Sequence, residues 1–297
     1  MDLRTSLGDF PLSINLPGTW NGSQFANESE YIYRLSALEI QEIKDALCYF
    51  KAIGLDGDLI CRENFPLPTL GLKLDVIRLD IYQGKGFGLI RGLDPGDHLT
   101  VDLTMIYVGI QSYIANRCGQ QDEKGNMLVH IVADNSSELT NKHHRHSLSE
   151  ITFHNEEAGD IISWLTRSSA ISGGRCIIAS GYAVYNILNR KSIQLLSQPS
   201  WMFPSQNKCL RPIFFYHEEK FILNFGRIPL IGSSIHPRSP NLPPVSKQQY
   251  QALDDIEHAA RQVQLEIKTQ PGDIHFINNL FILHRRDCFK DGDQAGE

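Results

Sequence analysis

The sequence predicts an α+β fold in which a β-sandwich is buttressed by helices. Helical patterns dominate the first 120 residues, strand-like patterns follow them, and one further helix pattern interrupts the strands before the last of them. No internal repeat and no domain-sized linker is visible in the sequence. We therefore predict a single domain over 1–297, with an irregular N-terminal arm at 1–30, a mainly helical buttress at 31–120 and a β-rich core at 121–290.

Caps and apolar spacing predict the helices of the N-terminal part. Ser36 and Glu39 have the spacing of a capping box, and apolar residues then recur at helical intervals until Gly54. A second apolar series begins at Leu70 and is stopped by Gly84. The other elements predicted here are a buried strand at 87–90 and a helix at 97–117.

The C-terminal part alternates short apolar runs with turn residues, which is typical of strands. Two helices interrupt the predicted strands, one at 183–196 and one at 246–262, and the second begins with the capping spacing of Ser246 and Gln249. A turn at 271–272 precedes the last strands. The remaining predicted strands span 127–132, 151–154, 160–166, 174–179, 213–216, 221–224 and 263–267.

Composition limits the classes of partner. The chain has a net charge of -6 and 41% hydrophobic residues, so nothing in its charge favours nucleic acid or an anionic membrane, and a small molecule is the expected partner. Six cysteines without C-x-x-C spacing indicate reduced thiols. No run of about 18 apolar residues and no leader pattern is visible. We expect a soluble cytoplasmic protein that can form a homo-oligomer.

A histidine and a carboxylate two residues apart make a candidate metal site. His154 and Glu156 follow strand-like sequence, and residues i and i+2 of a strand share a face. One imidazole and one carboxylate are two thirds of the triad of two histidines and one carboxylate that holds Fe(II). His284, at the end of a β-rich apolar run, is the best candidate for the second histidine. Glu157 is a rival carboxylate, but it would point to the other face of the strand.

The two segments that carry these residues resemble the TauD/TfdA-like family of Fe(II)/2-oxoglutarate-dependent oxygenases. The likeness covers roughly residues 60 to 290 and is specific because several motifs occur in the family's order. It implies a double-stranded β-helix, or jelly-roll, core and His154, Glu156 and His284 as the iron ligands. Most relatives have aspartate where this chain has Glu156. The further matching segments are 173–180, 222–225 and 239–244.

The resemblance also implies a reaction. Three protein ligands on one face of the iron leave positions for 2-oxoglutarate and O2, so the expected enzyme is a dioxygenase that oxidises an unactivated C–H bond of a small molecule. We expect the substrate to be an amino acid or an intermediate of specialised metabolism, and the outcome to be hydroxylation, desaturation or oxidative cyclisation. Two alternatives stay open at this point: a catalytically silent metal-binding relative, and a zinc-type hydrolase or isomerase.

The co-substrate site departs from the family pattern. Relatives clamp the far carboxylate of 2-oxoglutarate with an arginine some 11 to 15 residues after the second histidine, whereas residues 287–297 contain no arginine. Three alternatives stay open: the given sequence ends just short of the clamp, Arg285 or Arg286 substitutes for it, or the activity is lost. Arg286 is the expected co-substrate residue, because a guanidinium binds carboxylates through two donors. A salt bridge of Arg286 to Asp160 or Asp273 is the structural alternative. Cys176 stands where relatives often have threonine or serine, and is expected to be a weak donor to the co-substrate.

Asn224 and Arg227, beside a strand of the expected cavity, are the candidate substrate contacts. Three other groups of histidines are expected to be solvated or structural. They are the basic cluster 142–146, His217 in a hairpin turn and His236 in a proline-rich loop.

Overall fold

Two four-stranded sheets form the centre of the protein. The computed structural model describes residues 10–121, 124–131, 148–203, 210–233 and 237–290. The helices are α1 (Ala37–Ile53), α2 (Leu70–Gln83), α3 (Thr100–Gln111), α4 (Gly181–Ile187), α5 (Arg190–Leu196), α6 (Arg227–Ile231) and α7 (Lys247–Val263). The strands are β1 (Ile32–Arg34), β2 (Phe87–Arg91), β3 (Ile151–His154), β4 (Ile161–Leu165), β5 (Ser172–Gly173), β6 (Cys176–Ser180), β7 (Trp201–Met202), β8 (Leu210–Arg211), β9 (Phe214–His217), β10 (Lys220–Leu223), β11 (Leu265–Ile267), β12 (Ile274–Asn278), β13 (Ile282–Arg286) and β14 (Phe289–Lys290).

The chain crosses repeatedly between the two large sheets. The first sheet has the order β1-β2-β12-β4 and the second the order β11-β6-β13-β3. Their central strands β12 and β13 are consecutive in the sequence, yet they lie in different sheets. Apart from the parallel pair β1 and β2, the neighbours in both sheets are antiparallel.

Side-chain alternation along the strands produces three apolar layers. Between the sheets lies a layer that includes Phe87, Leu89, Ile178, Ile267 and Ile282. The outer face of the first sheet packs against α1, α2 and α3, and the outer face of the second packs against α4, α5 and α7. One apolar layer therefore lies between the two sheets, and the helices cover their outer faces.

Local signals account for the helix ends. Ser36 and Ser246 both form the capping boxes that the sequence predicts, and Gly54 ends α1 in the left-handed conformation at φ 70°. The predicted hairpin is also present, with Glu218 and Glu219 at positive φ between β9 and β10.

Three predicted elements are wrong in whole or part. Residues 127–131 form no strand; Met127 and Ile131 are exposed, and Leu128 instead packs against the helical layer. The helix predicted at 183–196 is two helices, because Asn189 is extended and its side chain accepts a hydrogen bond from the Ser192 amide, which caps α5. The helix predicted at 97–117 is shorter and consists of α3.

The N-terminal arm contributes to the core. Phe10, Ile14 and Trp20 are all buried, and the Asn186 side chain bonds both backbone groups of Ile14.

Within the described residues, the helices lack the length and apolar character needed to cross a membrane.

Candidate active site

Strand pairing brings the two candidate histidines together. His154 on β3 and His284 on β13 are direct partners across the antiparallel pair. Their ring centroids lie 4.1 Å apart, with the ring planes tilted by 45°. Both side chains are mostly buried, at 15% and 16% exposure. The pairing of β3 with β13 therefore brings together two histidines that are 130 positions apart in the sequence.

Glu156 completes the group from a loop. Strand β3 ends at His154, so Glu156 does not continue the strand as the sequence suggested. Its carboxylate nevertheless turns to the same side, with Oε1 3.8 Å from His154 Nε2 and 4.0 Å from His284 Nε2. The rival Glu157 pairs with Arg211 at 2.7 Å. Within the part of the chain described, these three residues are the group placed to hold a metal ion, with ligand atoms within 4.8 Å of one another.

Two buried amides hold the loop that carries Glu156. Asn279 accepts from the Glu156 amide at 2.9 Å and donates to the carbonyls of Glu156 at 3.0 Å and Gly159 at 2.9 Å. Asn155 donates to the carbonyls of Asn279 and Ile282 at 2.8 and 2.9 Å. The backbone of the carboxylate ligand is thus fixed to the turn between β12 and β13.

The donor set fits a divalent transition metal such as Fe(II). His154 Nδ1 lies 2.9 Å from the Thr152 carbonyl oxygen, which can only accept, so Nδ1 carries the proton and the Nε2 lone pair is available. Metal–ligand bonds of about 2.1 Å at right angles place ligand atoms about 3 Å apart. The separations to Glu156 therefore need to close by about 1 Å, and this side chain, at 43% exposure, is the most exposed of the three.

The two candidate co-substrate residues are neighbours in the interior. Arg286 and Cys176 are direct partners across β13 and β6, and Arg286 lies on the same strand face as His284. Burial lowers the pKa of the Arg286 guanidinium and raises the pKa of the Cys176 thiol to about 12, so the thiol stays protonated. The structure pairs the two residues across neighbouring strands; their contact with 2-oxoglutarate stays a prediction.

Arg285 is directed elsewhere. It alternates to the outer face of the second sheet, where it ion-pairs with Glu150 and Asp287 and lies over the Phe153 ring. Of the two adjacent arginines, Arg286 is therefore the one on the interior face. Asp273, considered above as its partner, is bound through both carboxylate oxygens by Arg91 at 2.8 Å.

The candidate substrate contacts lie at the end of the hairpin. The backbone N–H of Asn224 donates to the Ile213 carbonyl at 2.9 Å. Arg227 pairs with Asp254 of α7 at 2.7 Å, so a substrate that binds this guanidinium has to share it with Asp254. His217 is exposed and lies beside Glu218, as expected of a surface residue. The cluster 142–146 and His236 lie outside the described residues.

Sequence reasoning missed four residues around the candidate metal ligands. Asn155 and Asn279 hold the carboxylate loop, and Trp164 and His275 form an aromatic stack beside His284. The available signals were the tandem Asn278-Asn279 at the end of an apolar strand, and a polar ring at position 275 within an otherwise aliphatic and aromatic strand. Without the fold, neither signal shows which residues these side chains contact.

Comparisons with known proteins agree with this geometry. The family model described as taurine catabolism dioxygenase TauD, TfdA family, matches residues 51–296. The taurine hydroxylase-like protein SAT17 of Stachybotrys chartarum (strain CBS 109288 / IBT 7711) is 33% identical over 290 residues, which cover 93% of this chain and 75% of that protein.

Solved structures share the fold at low identity. An asparagine oxygenase in complex with Fe(II), 2S,3S-3-hydroxyasparagine and succinate aligns with a TM-score of 0.71 and 14% identity over 89% of this chain and 90% of that one. The non-heme iron oxygenase OrfP in complex with Fe and alpha-ketoglutaric acid aligns at 0.66 and 16%, over 89% and 90%. OrfP with Fe, succinate and (3S)-hydroxy-L-Arg aligns at 0.65 and 15%, with the same coverage. These likenesses confirm the predicted jelly-roll fold.

Proposed function

The chain belongs to the TauD/TfdA family of Fe(II)/2-oxoglutarate-dependent oxygenases, and from that premise we propose that His154, Glu156 and His284 hold its catalytic iron. The observation that carries this proposal is the convergence of two imidazoles and one carboxylate from segments 130 residues apart. Two neutral imidazoles and one anionic carboxylate match Fe(II) in charge and ligand type.

The iron, when bound, uses O2 to decarboxylate 2-oxoglutarate oxidatively and to oxidise a C–H bond of the substrate. The chain's own residues prepare that reaction. Thr152 fixes the proton of His154 on Nδ1, and Asn279 fixes the backbone of Glu156. Trp164 packs beside His284, with ring centroids 6.3 Å apart, and so limits the positions open to that imidazole.

We assign the buried wall formed by Arg286 and Cys176 to the co-substrate. A guanidinium in this apolar interior is poorly solvated, so a carboxylate that reaches it gains a strong charge-assisted hydrogen bond. Cys176 contributes mainly shape, because a protonated thiol is a weak donor.

The substrate is, in this proposal, an amino acid or an intermediate of specialised metabolism, and hydroxylation is the favoured outcome. Structural relatives carry hydroxyasparagine and hydroxyarginine in their sites, and the relative at 33% identity is described as taurine hydroxylase-like. Asn224 and Arg227 are the proposed contacts, since an acidic substrate group can compete with Asp254 for the Arg227 guanidinium. We place the reaction in the cytoplasm, in keeping with five free cysteines among the described residues.

Anaerobic Fe(II) titration tests the assignment. Adding 2-oxoglutarate to the Fe(II)-loaded protein should produce a visible charge-transfer band, and His284→Ala should weaken Fe(II) binding by about 100-fold or more because it removes one of three ligands. His217→Ala is the matched control: this exposed histidine lies outside the site, so both iron affinity and the band should be unchanged. Normal iron binding by a folded His284→Ala variant would contradict the proposed ligand set.

A further inference from the structure

One ring nitrogen of a buried histidine inside the sandwich has no hydrogen-bond partner among the described residues. His275 on β12 is 2% exposed, and its Nε2 atom makes no hydrogen bond within the described residues. A buried polar group without a partner is destabilising, and in native proteins it is usually satisfied by water or a ligand. The unsatisfied nitrogen therefore requires a polar group beyond those that the described part of the chain places beside it.

His275 belongs to the interior that the metal ligands share. Its ring stacks on Trp164 with centroids 4.6 Å apart and planes at 10°. Trp164 in turn stacks near His284, at 6.3 Å and 27°. One indole ring thus separates His275 from a proposed iron ligand, and Cys176 packs against the same interior layer from the opposite sheet.

The charged groups facing His275 leave it neutral. Burial is the main cause that lowers its pKa to about 4, while Asp273 and Arg91 act in opposite directions and are bound to each other. A neutral imidazole carries one N–H donor, and a carboxylate is a natural acceptor for it.

We propose that His275 is a co-substrate-binding residue whose imidazole N–H donates a hydrogen bond to the distal carboxylate of 2-oxoglutarate, opposite Arg286. This inference rests on the proposed function and adds a residue to it. With its 2-oxo acid end held by the iron, 2-oxoglutarate would extend its distal carboxylate into the interior between the sheets. Trp164 forms the wall along which it lies, and the stack on Trp164 fixes the plane of the imidazole.

Phenylalanine at position 275 separates the hydrogen bond from the packing. His275→Phe keeps a ring to stack on Trp164 and removes the donor. Binding to the Fe(II)-loaded protein is measured anaerobically for 2-oxoglutarate and for 2-oxobutyrate, which has no distal carboxylate. The dissociation constant for 2-oxoglutarate should rise about 10- to 100-fold, as expected for losing a hydrogen bond to a charged group. That for 2-oxobutyrate should change less than about twofold.

The controls cover folding and the alternative occupants of this space. His275→Met also lacks a donor, fills irregular space well, and carries the same prediction should the phenylalanine variant fail to fold. His275→Gln supplies an amide donor and should recover part of the affinity. Equal losses for both 2-oxo acids would mean that position 275 acts only through packing, and no loss for either would mean that a water satisfies it; each result overturns the inference. Failure of the wild-type protein to bind 2-oxoglutarate would instead overturn the proposed function as well.

Discussion

Replacing Asn279 with alanine should weaken metal binding far more than its distance from the metal suggests. The side chain is 4% exposed and makes three hydrogen bonds, two to the backbone of Glu156 and one to the carbonyl of Gly159. At about 1 kcal/mol for each lost bond, the free energy of unfolding should fall by about 3 kcal/mol. In a chain of this size that lowers Tm by roughly 5 °C. Because the loop carrying Glu156 then loses its anchor, Fe(II) affinity should fall by about 10- to 100-fold.

The neighbouring Asn278 provides the matched control. It is 6% exposed and also bonds backbone, but its partners are the carbonyl of Ile81 in α2 and the amide of Leu280, both at 3.1 Å. Asn278→Ala should lower Tm to a similar extent and leave Fe(II) affinity within about threefold of wild type. Anaerobic Fe(II) titration and thermal unfolding of both variants supply the two readouts. If Asn279→Ala binds iron as tightly as Asn278→Ala, the idea that this amide positions the carboxylate ligand is refuted.

Two further predictions concern the interior charges. Asp273→Asn should lower the free energy of unfolding by about 3 to 5 kcal/mol, because it leaves the buried Arg91 without its charged partner. As a control, Lys51→Ala breaks the surface pair with Asp102 and should lower it by less than about 1 kcal/mol. Urea unfolding measures both changes. The stability of the metal-free protein should also rise with pH between 4 and 6.5, since His275 stays neutral down to about 4 when folded but binds a proton near 6.5 when unfolded. This contribution amounts to about 3 kcal/mol. It should be missing from the pH dependence of unfolding in His275→Phe, and an unchanged pH dependence in that variant would contradict the buried, neutral state.

Elements defined by local chemistry were predictable from the sequence. The capping boxes at Ser36 and Ser246 and the glycine that ends α1 act within a few residues, so the spacing of the residues already contains the interaction. The proposed metal ligands His154 and His284 were also recognisable, but through the order of motifs along the chain. That order established which residues meet, while the ladder between β3 and β13 that brings them together is a property of the fold.

Features that depend on a distant partner were not predictable. The apolar run at 127–131 has the composition of a strand but contacts the helical layer instead, and composition cannot tell those environments apart. Asn155 and Asn279 look like ordinary loop amides in sequence. Their role arises because residues more than 120 positions apart meet at the turn between β12 and β13.

The three proposed ligands differ in how far the fold buries and restrains them, and this difference accounts for a glutamate at position 156. His154 and His284 project from paired strands and are mostly buried, whereas Glu156 is in a loop and much more exposed. Its backbone is anchored by Asn279 while its side chain is more exposed than either imidazole, so we expect the closure of about 1 Å needed around a metal to fall on the longer carboxylate side chain. An aspartate there, one methylene shorter, would start farther from both imidazoles on the same backbone. The hydrogen bonds of Asn279 therefore fix the backbone position of residue 156, and the extra methylene of glutamate would let its carboxylate reach the metal.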